Sequence, residues 1–75
     1  MDIKQIAGDN IRFIREKRAW VQEDLAIVAK LSKTYIGEIE RGEKAMTIVT
    51  LQKIAKAFKV TPALLLTPNA YRTVD

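Results

Sequence analysis

The chain has 75 residues, the size of one domain that hides only roughly 60% of its unfolded surface, so its stability is modest or shared with a partner chain. It contains no cysteine and no histidine, which excludes a disulfide framework, thiol chemistry, and the commonest metal ligand and general base. Its net charge of +4 suits a polyanionic partner without requiring one.

The carboxylates that remain are scattered along helical patterns and converge on no cleft, so no catalytic residue, metal ligand or cofactor is expected. The longest apolar run, residues 25–29, falls far short of the roughly 20 residues that span a bilayer. The first residues also lack the basic-then-apolar pattern of a secretion signal. A cytoplasmic protein with no membrane association is expected. Only residues 67–75 have the composition of a loose tail, which leaves residues 1–66 as the domain.

Over residues 2–18 the apolar side chains Ile3, Ile6, Ala7, Ile11 and Ile14 recur at threes and fours, the mark of an amphipathic helix. Phe13 falls off this stripe and is expected to widen the buried face, with contact to a partner as the alternative. Arg15 follows the apolar face closely and needs a carboxylate to satisfy it. Ala19 and Trp20 break the pattern without the glycine that commonly closes a helix. Trp20 is expected to cap the core with its ring; an exposed stacking role is the alternative.

Val21 stands at the expected start of a second helix, where serine or threonine would satisfy a free amide. Leu25, Ala26 and Ala29 share one face, and the two alanines let another helix cross closely. Ile27 and Val28 are apolar on the outer face, to meet the first helix or a second subunit. Lys30, Leu31 and Ser32 form a short turn, with Leu31 as apolar plug and Ser32 as N-cap.

In the third helix Ile36 and Ile39 mark the buried side, so Lys33, Thr34, Gly37 and Glu38 point away from it. Short polar and charged side chains near a helix N-terminus suit the major groove of DNA. Many paired helices with short turns bind no DNA, so geometry alone does not decide. Thr47 caps a fourth helix with a stripe of Ile48, Leu51, Ile54, Ala55 and Phe58 and with Lys53, Lys56 and Lys59 outside. Thr61 followed by Pro62 starts a last short helix holding Leu64, Leu65 and Leu66. Met46, Val49 and Val60 also need burial, so an apolar patch on the fourth and fifth helices is expected to form a homodimer.

The segments IRFIREKR, QEDLA, SKTYIGEIERG and TIVTLQKIAKAFKV, in that order, resemble the Cro/CI-type helix-turn-helix family, also called the XRE family. KTYIGEIERG followed by Met46 and Thr47 is most similar to the small controller proteins of restriction-modification systems. The resemblance implies an all-α, five-helix, lambda-repressor-like DNA-binding domain. It further implies that Lys33, Thr34, Gly37 and Glu38 face base edges, and that Gln22 contacts a phosphate with Tyr35 near the backbone. Arg15 and Glu40 match a structural ion pair. Arg41 and Lys44 are the further phosphate-contact candidates. The alternative for Glu38 is an exposed helix residue that pairs with Lys33 or Arg41 and reads nothing.

Ala19, Val21 and Lys30 depart from the residues usual at the family's turns, and Gly37 replaces a common serine. The function expected is a homodimeric transcriptional regulator on double-stranded DNA, binding a palindromic operator with half-sites about 34 to 36 Å apart. Repression needs only occlusion of RNA polymerase, whereas activation needs a surface that touches it. No small-molecule ligand is expected. The rival is an antitoxin or other protein-interaction module of the same fold.

Overall fold

A computed structural model describes residues 2–74 of the chain; Met1 and Asp75, the outer ends of the expected domain and tail, lie outside them. The described residues form five α-helices and a final 3-10 helix: α1 Ile3–Lys17, α2 Gln22–Ala29, α3 Lys33–Glu40, α4 Ile48–Phe58, α5 Pro62–Leu65, and the 3-10 helix Ala70–Thr73. None of these helices is long and apolar enough to cross a membrane.

Four helices start on a side-chain oxygen that accepts a backbone N–H otherwise left unpaired. Asp2 accepts from Lys4 N at 2.9 Å, Ser32 from Tyr35 N at 3.1 Å, Thr47 from Thr50 N at 3.0 Å and Thr61 from Leu64 N at 3.2 Å. At α2 the valine offers no acceptor, so only the reciprocal half of a capping box forms, with Val21 N donating to the Asp24 carboxylate at 2.8 Å.

The helix ends also share one solution. After α1, α2, α3 and α4 a residue turns left-handed, and the next residue's N–H reaches back five positions: Trp20 to Arg15 O, Leu31 to Ala26 O, Glu43 to Glu38 O and Val60 to Ala55 O. The left-handed residues are Ala19, Lys30, Gly42 and Lys59, with φ of 57°, 60°, 73° and 59°. Only one of them is the glycine that adopts this conformation without steric cost. Lys59→Gly is therefore expected to raise stability by about 0.5 to 1 kcal/mol, the strain relieved less the backbone freedom that glycine adds to the unfolded chain. A higher melting temperature would register it.

Ile11, Ile14, Leu25, Ile36, Ile39, Ile54, Phe58 and Leu65 make one core, each at most 1% exposed. Trp20 closes it at one corner, its ring stacked on Phe58 at 5.8 Å between centroids. The tightest approach is between α1 and α3. A methyl built on Gly8 would lie 2.4 Å from Ile39 O and 2.9 Å from Glu40 O, so only glycine lets α1 reach the backbone of α3 here.

Residues 67–74 are not loose. Asn10, 1% exposed on α1, donates through its amide nitrogen to Leu65 O at 3.0 Å and Thr67 O at 2.8 Å, and its oxygen accepts from Tyr71 N at 3.2 Å. Phe13 stacks on Tyr71 at 4.4 Å, which is how it widens the buried face. Lys17 Nζ donates to the carbonyls of Tyr71 and Val74, and Ala70 and Val74 are buried.

The apolar patch includes more of the chain than α4 and α5. Ile48 is 84% exposed and Val49 60%, and Ile3 of α1 joins Met46, Ile48, Leu51 and Leu66 around one shallow groove. Ile27 is 69% exposed, and Val28 is exposed beside it, so this pair does not pack on α1.

Candidate nucleic-acid interface

The second and third helices are locked together through one buried carboxylate. Arg15 Nε donates to Glu40 Oε2 at 2.7 Å and Nη2 to Oε1 at 3.0 Å, while Nη1 donates to Trp20 O at 2.7 Å. The Glu40 side chain is 3% exposed and that of Arg15 11%. Hydrogen bonding to Glu40 holds the Arg15 guanidinium even further above its usual pKa, outweighing the opposing effect of burial. Glu40 Oε1 accepts a second bond, from Gln22 Nε2 at 3.1 Å. This one carboxylate therefore joins α1, the first residue of α2 and the last residue of α3.

With Ile36 and Ile39 buried, Lys33 and Thr34 are exposed at the start of α3, and Tyr35 packs its ring partly against the core. Glu38 is half-buried. Its partner is Lys44, at 3.7 Å, in place of the Lys33 or Arg41 expected for a paired glutamate. Arg41 pairs instead with Glu43, Nε to Oε2 at 2.8 Å and Nη2 to Oε1 at 3.1 Å. That hydrogen bonding draws the Glu43 carboxyl below its usual pKa and raises that of Arg41. Both side chains are more than half exposed, so the pair is weak and salt-sensitive.

Gly37 differs most from its expected setting. It is buried, because the ends of Arg41 and Gln22 lie over it. Sequence reasoning also missed Glu43, whose spacing of two from Arg41 on a loop carries no periodic signal, and the bond from Gln22 to Glu40.

The exposed N-terminal turn of α3, backed by α2 across a three-residue turn, is matched by a family model described as helix-turn-helix over residues 11–65. The chain belongs to the helix-turn-helix family. Among helix-turn-helix relatives, it is 43% identical to the control protein C.SmaI of Serratia marcescens over 67 residues, 89% of this chain and 80% of that protein. The crystal structure of the restriction-modification controller protein C.AhdI from Aeromonas hydrophila superposes with a TM-score of 0.79 at 31% identity, covering 83% of this chain and 94% of the other. The controller protein C.Esp1396I, solved as a tetramer on its natural 35-base-pair operator, gives a TM-score of 0.78 at 32% identity, covering 87% of this chain and 86% of its own. The likeness to controller proteins carried by KTYIGEIERG extends to the whole domain.

Proposed function

We propose that this helix-turn-helix protein is a sequence-specific transcriptional regulator of the restriction-modification controller type, which binds a palindromic operator as a homodimer. The observation that carries this reading is the exposed start of α3, with Lys33 and Thr34 free of side-chain partners among the described residues, beside a backbone locked by Arg15, Glu40 and Gln22. The relatives named as control proteins and the C.Esp1396I operator complex support it. Their role is regulatory, and we assign the chain no catalytic step.

In this reading Lys33 donates to guanine O6 or N7, Thr34 hydrogen-bonds or touches a thymine methyl, and Glu38 accepts from cytosine N4. Gln22, Tyr35, Arg41 and Lys44 hold the phosphate backbone. Glu38 is an anion near phosphates, and Lys44 at 3.7 Å offsets that charge. The groove of Ile3, Met46, Ile48 and Leu66 is the surface for the second copy, since exposed apolar area of this kind is unfavourable in a monomer.

Selection of bound duplexes from a random pool tests the proposal. An enriched inverted repeat with half-sites one helical turn apart is the expected result; weak, salt-sensitive binding with no enrichment would overturn it. On the selected operator, Lys33→Ala and Glu38→Ala should each cost about 1 to 3 kcal/mol at particular base pairs. Lys44→Ala should weaken all sequences alike and lower the salt slope by about one. Identical behaviour of the three variants would remove α3 from base reading.

The exposed Ile27 and Val28 favour a second reading, an antitoxin-like module that masks another protein. Full activity of the purified chain as an operator-binding dimer, unchanged in Ile27→Ser, would argue against it.

A further inference from the structure

Residues 1–43 balance basic against acidic side chains one for one, and no carboxylate follows Glu43 until Asp75, so the net charge of +4 arises in the second half of the chain. Three lysines of that half, Lys53, Lys56 and Lys59, meet Lys30 from the end of α2 around one open cavity of about 360 Å³. All four are exposed, and none makes a salt bridge among the described residues. Like charges gathered without a carboxylate repel one another.

The backbone holds two of them where glycine would sit without steric cost: Lys30 and Lys59 are left-handed, with φ of 60° and 59°. A cation suits the dipole at a helix C-terminus, which accounts for a lysine near each end but not for Lys53, midway along α4. Between the lysines the wall is apolar. Val28, 51% exposed, and Ala57 line it, and Ile27 is exposed next to Val28. The carbonyls of Val28, Ala29 and Ala57, left over at the ends of α2 and α4, accept no backbone hydrogen bond among the described residues.

We propose that this cavity docks an acidic segment of a partner protein, one that carries apolar side chains among its carboxylates. The carboxylates complement the four lysines, the apolar side chains cover Val28 and Ile27, and the segment's own N–H groups answer the free carbonyls. A DNA phosphate backbone supplies the charge but no N–H donor, and would leave the valine and isoleucine uncovered. The cavity shares no residue with the reading surface or with the groove assigned to the second copy, so the segment competes with neither for a side chain. This surface goes beyond the regulator reading and does not rest on it.

The test titrates the full chain, followed by amide NMR at physiological salt, with a short peptide repeating Glu-Glu-Leu. Parallel titrations use a peptide repeating Glu-Glu-Ser, inorganic tripolyphosphate and a random DNA duplex. The Glu-Glu-Leu peptide is expected to shift the amides of residues 27–30 and 53–59, to leave Thr34 and Gly37 unmoved, and to bind about fivefold more tightly than Glu-Glu-Ser. Lys53→Gln combined with Lys56→Gln should weaken that peptide about fivefold, with the melting temperature no lower and the affinity for duplex DNA unchanged. Val28→Ser should narrow the difference between the two peptides. Shifts centred on Gln22, Gly37 or Arg41, equal binding of the two peptides, tighter binding of tripolyphosphate, or no peptide binding would overturn the proposal. A loss of duplex affinity in the lysine variant would give the cavity to flanking DNA and overturn it as well.

Discussion

Arg15→Ala is expected to lower the unfolding free energy by about 3 to 5 kcal/mol, in a domain whose total is on the order of 4 to 11 kcal/mol. The loss comes from what remains. Glu40, 3% exposed in its side chain, would keep its charge in a buried place with only the Gln22 amide to answer it, and Trp20 O would lose its donor. A buried ion pair need not be strongly stabilising as a pair, because desolvation opposes the attraction, but half of one is strongly destabilising. Chemical denaturation of Arg15→Ala and of the double variant Arg15→Met with Glu40→Leu separates the two effects. The double variant should recover most of the stability. A double variant as unstable as the single would show that packing, and not the stranded carboxylate, sets the loss.

Gly8→Ala should be nearly as damaging, at about 3 kcal/mol, although alanine is the better helix former by about 0.5 to 1 kcal/mol. Its methyl would meet the carbonyl oxygens of Ile39 and Glu40 at 2.4 and 2.9 Å, and those belong to the backbone of α3. They cannot swing aside. Relief requires α1 and α3 to part, which also disturbs the Arg15 and Glu40 pair. The same substitution at Gly37 meets only the end of a side chain, so the two variants should shift the melting temperature in opposite directions. A melting temperature unchanged in Gly8→Ala would contradict the close approach of the two helices.

Much of this architecture was legible because it follows from local chemistry. The stripe of Ile11 and Ile14, the caps at Ser32, Thr47 and Thr61, and the buried side of α3 each follow from residue type and helical spacing. The exposed Lys33 and Thr34 follow from the same spacing. What was not legible depends on partners distant in the chain. Asn10 sits on the buried stripe as a polar residue, and nothing near it in sequence announces carbonyls 55 and 57 positions away. The polar composition of residues 67–74 hides how Tyr71 and Val74 pack. The left-handed Ala19, Lys30 and Lys59 were obscured because the helix end sets that geometry, and the residue merely tolerates it. Gly37 misled for a related reason: an angular position on a helix says where a residue points, not what lies over it.

The Asn10 amide has one more effect, on the order in which the molecule can be completed. Protein synthesis delivers α1 long before Tyr71, yet Asn10 binds both the carbonyls that follow α5 and the amide of Tyr71. A nascent chain released before that point would carry all of α1 to α5, but the buried oxygen of Asn10 would lack the Tyr71 N–H that satisfies it. Completion of the buried contacts around Asn10 thus waits for synthesis to pass Tyr71.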